Sequence, residues 1–191
     1  MKAVIDTSSL LSLVRYYLPF DEHSVLLNFI RSKIESADLL VVDAVLEECK
    51  YTAGGLVLDN LPFLTDATFL RGAGVPYRTQ ALYAPAPAKF VRQVDSQFVN
   101  TVIRKTRRIT DTEYENQKAK FLESADMRQV ILCLNLLRDG ERVVLVSEET
   151  EGSNDNKLFK KIPAICKLLN IESITLPTYL KGGQGISLEF R

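Results

Sequence analysis

The organisation of the chain is already visible in residues 1–14, MKAVIDTSSLLSLV. Residues 2–5 form a short apolar run with β-branched members, which is typical of a buried strand. The polar triplet at 7–9 then supplies helix-capping side chains before an apolar helix through residues 10–14. The stretch therefore predicts a strand, a tight turn and a helix, with Asp6 at the point where the strand ends.

The same alternation of strand and helix recurs along the rest of the chain. Apolar runs of strand length predict further strands at 39–42, 142–146 and 171–176. Three-and-four spacing of apolar residues predicts helices at 24–34, 90–104, 162–169 and from Ser124 to the stop at Asp139-Gly140. Strands that alternate with helices favour an α/β fold around a parallel sheet.

The region from about 54 to 120 departs from this pattern. Its first half is rich in glycine and proline, and the stretch 112–123 is polar and charged, which predicts an exposed helix or a loop. We expect a largely helical or irregular insertion here. With 191 residues and 46% hydrophobic content, the chain can bury one substantial core, so we predict a single domain over residues 1–191.

Composition limits the possible functions. Lys plus Arg and Asp plus Glu both total 24, so any affinity for nucleic acid requires a local basic patch. The three cysteines are far apart in sequence, which argues against a thiolate zinc site and fits reduced thiols in the cytoplasm. His23 is the single histidine, so histidine-based triads lack their parts. No apolar stretch approaches the ~18 residues of a membrane span, and we expect a soluble, cytoplasmic protein.

Four acidic residues share one kind of position, because each stands where an apolar run ends or a helix begins. They are Asp6, Glu48, Asp126 and Glu149. The carboxyl ends of parallel strands meet at one edge of a sheet, so these carboxylates can converge there. They would repel one another unless a divalent cation lay between them. The pattern indicates a metal-dependent hydrolase that acts on phosphodiesters.

Simpler roles stay open for individual acids. Asp6 can cap the helix that follows it, and Asp126 lies in a first helical turn, where the macrodipole favours negative charge by roughly 0.3–1 kcal/mol. Glu47 and Glu48 point about 100° apart on a helix, so at most one of them faces the crevice.

The last acid belongs to Ser147-Glu148-Glu149, which directly follows the strand at 142–146. This triplet offers a hydroxyl and two carboxylates at a strand end, and a surface acidic cluster is the alternative. Asp155 follows in the next loop and can replace or assist Glu149.

Four segments resemble the motifs of the PIN domain family of metal-dependent nucleases, and together they run through nearly the full chain. They are 4–10 (VIDTSSL), 45–49 (VLEEC), 124–131 (SADMRQVI) and 145–149 (LVSEE). The tail at 161–171, KIPAICKLLNI, further resembles a poorly characterised PIN-like subgroup. The resemblance implies a three-layer α/β/α fold with a central, mainly parallel sheet, a Mg²⁺ or Mn²⁺ cofactor, and endoribonuclease activity on RNA. It also implies the toxin role of a toxin–antitoxin pair, with an antitoxin protein as a partner. A homodimer is one of the oligomeric states that the sequence leaves open.

The resemblance assigns roles to the acids by position. Asp6 and Asp126 are expected to be direct ligands of the cation. Glu48 is either a ligand or an acceptor from a metal-bound water, and Glu149 either supports the ligands or serves a second ion. Ser147 is expected to orient water or phosphate.

Basic residues are the candidates for binding substrate phosphates. The densest cluster is 104–108, RKTRR, which begins with Arg104, and Lys161 lies close in sequence to the final acid together with Lys157 and Lys160. A charge run is more often a solvated face than a binding site. Aromatic residues of the insertion either stack on unpaired bases or pack the insertion onto the core: Tyr77, Tyr83 and Phe90.

Two rival functions compete with the nuclease. Aspartate-nucleophile phosphatases also begin with a strand that ends in Asp, but they need a second aspartate two residues later, where this chain has Ser8. The other rival is a non-catalytic PIN-like module that binds RNA or protein.

Overall fold

The computed structural model describes residues 1–150 and 156–182. Within them the core is an all-parallel sheet built from β1 (Lys2–Ile5), β2 (Leu39–Leu40), β3 (Val143–Val146) and β4 (Glu172–Ile174). The strands lie in the order β2-β1-β3-β4. Every residue of β3 is buried, as expected for a parallel strand covered on both faces. The predicted α/β class with a parallel central sheet is confirmed, and the arrangement is consistent with the predicted three layers.

The register of the central pair places two polar side chains next to each other. Ile5 is the partner of Val146, so the residues that follow, Asp6 and Ser147, emerge side by side from the carboxyl edge of β1 and β3. The Asp6 N–H continues the ladder by donating to the Val146 carbonyl at 3.0 Å. Sheet pairing alone thus brings together residues that are 141 positions apart.

Helices surround the sheet in the described part of the chain. In chain order they are α1 (Thr7–Ser12), α2 (Val25–Glu35), α3 (Asp43–Cys49), α4 (Leu56–Asn60), α5 (Ala67–Ala73), α6 (Pro87–Gln93), α7 (Thr101–Thr106), α8 (Asp111–Glu123), α9 (Ala125–Arg138), α10 (Ile162–Leu169) and α11 (Leu176–Gly182). Short 3₁₀ or π turns extend or link several of them, at 13–17, 18–20, 52–55, 62–64 and 94–98. No helix among these residues is long and apolar enough to cross a bilayer.

The predicted helix after Ser124 is α9, which packs on β3. The Ser124 hydroxyl accepts a hydrogen bond from the Met127 N–H at 3.4 Å and so caps the helix. At the other end Gly140 has a φ of +83°, a conformation that favours glycine. Both predicted ends of this helix are confirmed, and they fix where Asp126 enters the first turn.

The strand predicted at 39–42 is divided between two partners. Leu39 and Leu40 pair with β1, whereas Val42 forms a single parallel bridge with Tyr77 of the insertion. The Tyr77 N–H donates to the Val41 carbonyl at 2.8 Å. The insertion therefore covers the edge of the sheet beyond β2 and does not stand apart from the core.

The insertion is largely helical, as predicted, but the single helix expected at 90–104 is wrong. Val99 is extended and bridges Phe159, which interrupts the helical path between α6 and α7. Asn100 then restarts the helix by accepting a hydrogen bond from the Ile103 N–H at 3.2 Å. A tertiary pairing with residue 159 overrides the local helical spacing, because that partner is invisible to a periodicity argument.

Candidate functional site

Asp6 is a buried carboxylate, 5% exposed, that receives four donors from the described residues. Its Oδ1 accepts from the Thr7 N–H at 2.8 Å and from Gln129 Nε2 at 3.1 Å. Its Oδ2 accepts from Ser8 Oγ at 2.6 Å and from Ser147 Oγ at 3.2 Å. The expected capping role of Asp6 is present, since the Thr7 N–H opens α1. The other three donors go beyond a cap, and they hold the carboxylate in one orientation at the carboxyl edge of the sheet.

Glu48 joins this edge from α3. Its Oε2 accepts a hydrogen bond from Thr7 Oγ1 at 2.7 Å, so Thr7 links the second acid to the residue that follows the first. Glu47, the adjacent residue, forms an ion pair with Lys50 on the half-exposed side of α3. The structure therefore directs Glu48 toward Asp6 and Glu47 away from it, and Glu47 instead lines a separate cavity of about 730 Å³.

Asp126 lies within the electrostatic field of all three other acids. Burial raises the pKa of Asp126 to about 7, and the negative charges of Asp6, Glu149 and Glu48 add to the rise, in that order, while Lys157 lowers it. Carboxylates act on one another in this way only at short range. The negative charges of residues 6, 48 and 149 thus all act on Asp126.

Glu149 reaches the site from the loop after β3. The Ile162 N–H at the start of α10 donates to Glu149 Oε2 at 3.3 Å, and the Glu149 N–H donates to Ser147 Oγ at 3.2 Å. A cavity of about 360 Å³ opens beside Ser147 and Glu149. The side chain thus lies between the final loop and the first turn of α10, where backbone N–H groups favour a negative charge.

Glu148 is adjacent to Glu149 in sequence but contacts other parts of the structure. Its Oε1 accepts from the Leu176 N–H at 2.6 Å and so engages the start of α11. The Glu148 N–H donates to Ser8 Oγ at 3.1 Å, which ties the loop back to α1. Asp155, the predicted alternative to Glu149, lies outside the described residues.

The basic residues predicted to bind phosphate differ in their surroundings. Arg104 pairs with Asp111 at 2.7 Å, and its guanidinium carbon lies 4.0 Å from the centre of the Tyr114 ring, so it stabilises the packing of α7 against α8. Lys161 is the residue before α10 and adjoins the Ile162 N–H that meets Glu149. Lys157 is the basic residue whose charge reaches Asp126.

The aromatic residues of the insertion differ in their exposure to solvent. Phe90 is buried and packs edge-on against Phe98, with ring centres 5.8 Å apart, so its side chain belongs to the core. Tyr83 is 76% exposed and Tyr77 is 37% exposed. Packing is therefore the role of Phe90, whereas base stacking by Tyr77 and Tyr83 stays a prediction.

Gln129 is absent from the predicted set of site residues, yet its amide contacts Asp6 directly. Its position offered a signal, because residues three apart on a helix share a face, and Gln129 follows Asp126 by three. The side chain is fully buried. A buried amide on the same helix face as the buried residues Ala125, Leu132 and Cys133 is unusual and requires a polar partner.

The side chains at this edge offer oxygens of the kind that bind hard divalent cations, but in the described residues they do not converge as a set of ligands. No three His, Cys, Asp or Glu side chains in residues 1–150 and 156–182 form a ready-made set of ligands. Asp6, Glu48 and Glu149 each accept hydrogen bonds from protein donors. The same edge also offers Gln129 Oε1, a buried oxygen that no donor in the described residues reaches. Carboxylate and amide oxygens are the ligands that Mg²⁺ and Mn²⁺ prefer.

Comparison with known proteins yields one match. A family model described as a domain of unknown function (DUF4411) matches residues 83–185, which is just over half of the chain. The matched part contains Asp126, Ser147 and Glu149 but begins after Asp6 and Glu48. No curated protein and no solved structure matches the chain.

Proposed function

We propose that this chain, which belongs to the DUF4411 family, is a divalent-metal-dependent endoribonuclease of the PIN type. The observation that supports this most strongly is that Asp6, held by four donors at the carboxyl edge of the sheet, is linked to Glu48 through Thr7. The negative charges of Asp6, Glu149 and Glu48 also raise the pKa of Asp126. Folding gathers these charges at an energetic cost, and a bound cation would remove that cost. Perturbed carboxylates of this kind are characteristic of functional sites.

Each side chain then has a defined contribution. Asp6 and Asp126 would hold a Mg²⁺ or Mn²⁺ ion, which would lower the pKa of water at the site and offset negative charge at phosphorus. Asp6, held by its four donors, and Asp126 provide the main negative charge for the cation. Thr7 keeps Glu48 directed toward them, and Glu149 adds its charge from the loop after β3.

The candidates for substrate contact are residues near the same edge of the sheet. Ser147 is 2% exposed and bound to Asp6, so it positions that carboxylate more than it contacts substrate. Lys157, whose charge reaches Asp126, is the best-placed basic residue for a phosphate of the RNA backbone. The toxin role, the antitoxin partner, the homodimer and the cytoplasmic location stay predictions from the resemblance and the composition.

A matched pair of variants on α3 tests the proposal. The substitutions Glu48→Gln and Glu47→Gln remove the same charge from adjacent residues, of which only Glu48 faces Asp6. In Mn²⁺, wild type is expected to cleave a pool of random-sequence RNA oligonucleotides, and EDTA is expected to stop the cleavage. E48Q should lower the rate by roughly 10–100-fold, as losses at metal sites do, whereas E47Q should retain it.

Two results would reject the nuclease. Equal cleavage by E48Q and wild type would separate the activity from this site. Binding of Mn²⁺ and RNA by wild type without any cleavage would instead identify the non-catalytic PIN-like module.

A further inference from the structure

Gln129 is a residue of α9 that lies near Asp126 in the helix and contacts Asp6. It follows Asp126 by three residues, and its Nε2 donates to Asp6 Oδ1 at 3.1 Å. The side chain is fully buried, at 0% exposure. The amide nitrogen must face the carboxylate, since the amide oxygen is an acceptor and would be repelled by Asp6. Its orientation is therefore fixed by chemistry.

The other atom of the same amide has no partner. Gln129 Oε1 is buried, and none of the described residues donates to it. Because Oε1 and Nε2 share one carbon, Oε1 lies in the immediate neighbourhood of Asp6. Burying an acceptor without a donor is unfavourable, so such an atom in a folded protein points to a ligand or a water.

A purely structural role would not require an amide here. Methionine has nearly the same length and would fill the space without a buried unsatisfied oxygen. Asp6 would still have three donors, Thr7 N–H, Ser8 Oγ and Ser147 Oγ. The part of glutamine that methionine cannot supply is an oxygen at the acidic edge together with one further donor to Asp6.

We infer that Gln129 is a positioning residue of the metal site: its Nε2 fixes Asp6, and its Oε1 is a neutral oxygen donor to the cation. This inference rests on the proposed metal-dependent function. Amide carbonyl oxygens are regular ligands of hard divalent cations. A neutral oxygen adds a ligand without adding to the repulsion among Asp6, Glu48, Asp126 and Glu149.

The test compares Gln129→Met with Ser9→Ala in the full chain. Ser9 Oγ is the other buried oxygen that lacks a partner in the described residues, so S9A also removes an unsatisfied polar atom. Mn²⁺ affinity is measured by titration calorimetry, and thermal unfolding is measured in EDTA. Q129M is expected to fold, to melt near the wild-type temperature in EDTA, and to bind Mn²⁺ roughly 10–100-fold more weakly. S9A is expected to bind Mn²⁺ like the wild type.

The possible results separate the inference from the proposed function. Wild-type binding of Mn²⁺ with an unchanged Kd for Q129M would overturn the role of Gln129 alone. Failure of the wild type to bind Mn²⁺ would overturn both. An equal loss of affinity in S9A would attribute the Q129M effect to general repacking and would also reject the inference.

A second variant covers a failure of Q129M to fold. Gln129→Glu keeps an oxygen in place of Oε1 and exchanges the donor for a charge beside Asp6. Mn²⁺ should therefore raise the melting temperature of Q129E by more than that of wild type. An equal or smaller rise would contradict the placement of Oε1 at the cation.

Discussion

Replacing Asp126 by asparagine should stabilise the protein in the absence of metal while it removes Mn²⁺ binding. Folding raises the pKa of Asp126 from its ordinary value of 3.8 to about 7. Between about pH 4 and pH 7 the folded chain keeps a proton that the unfolded chain has released, so the free energy of unfolding falls as pH rises through this window. Above about pH 7 Asp126 is ionised in the folded chain, and the decrease in the free energy of unfolding reaches its full size. Asparagine resembles the protonated form and avoids this cost.

The expected magnitude follows from the size of the pKa change. One pKa unit corresponds to about 1.4 kcal/mol, so the rise of Asp126 is equivalent to at most about 4 kcal/mol at pH 8. The first helical turn favours a negative charge by roughly 0.3–1 kcal/mol, which the substitution gives up. We therefore expect D126N to gain up to about 3 kcal/mol at pH 8, or roughly 6–12 °C in Tm for a chain of this size. At pH 5 the gain should shrink to roughly 1–2 kcal/mol, because folded Asp126 keeps its proton and only the ionisation of the unfolded chain above pH 3.8 opposes folding.

Urea unfolding in EDTA at pH 5 and pH 8 measures both values. Asp111→Asn is the matched control, because Asp111 is also an acid in a first helical turn but its side chain is 97% exposed. D111N should give no gain at either pH. A D126N protein no more stable than wild type at pH 8, or equally stabilised at both pH values, would contradict an unfavourable ionised Asp126 in the fold.

Three further outcomes follow from the same contacts. Asp6→Asn should lower the free energy of unfolding by about 1–3 kcal/mol, the opposite of D126N, because an amide cannot accept hydrogen bonds at both of its ends. Urea unfolding measures the loss, and a stabilised D6N would contradict the hydrogen bonds assigned to Asp6. Mn²⁺ affinity should rise with pH and level off above about 7, because a cation favours the ionised form of Asp126 and binding therefore releases a proton. Calorimetry in two buffers of different ionisation enthalpy detects the released proton. A Kd that does not change from pH 5 to 8 would contradict this prediction. Tyr114→Phe should lose about 1 kcal/mol in urea unfolding, because the Tyr114 hydroxyl donates to Asp95 at 2.8 Å, and unchanged stability would show that this bond contributes nothing.

Different structural elements carry the acidic residues, which lie far apart in sequence. Asp6 and Ser147 are adjacent because Ile5 pairs with Val146, whereas Glu48 and Asp126 enter from α3 and α9. The contact between Arg104 and the Tyr114 ring lies within the insertion.

The sequence by itself determined the elements whose signals are local. The run at 2–5 and the run at 142–146 are strands, and the helix after Ser124 ends before Gly140, because strand propensity, apolar spacing and capping act within a few residues. The order of strand ends and helix starts also indicated that Asp6 and Asp126 would enter from the same edge.

Only the tertiary structure decided which side chains meet. It directed Glu48 and not Glu47 toward Asp6, and it brought the Gln129 amide into contact with Asp6. It also paired Arg104 with Asp111 and broke the helix at Val99 through its bridge to Phe159. These outcomes depend on strand register and on helix packing between residues up to 123 positions apart. The pKa of Asp126 is likewise a property of the assembled edge, because burial and neighbouring charges exist only once the chain has folded.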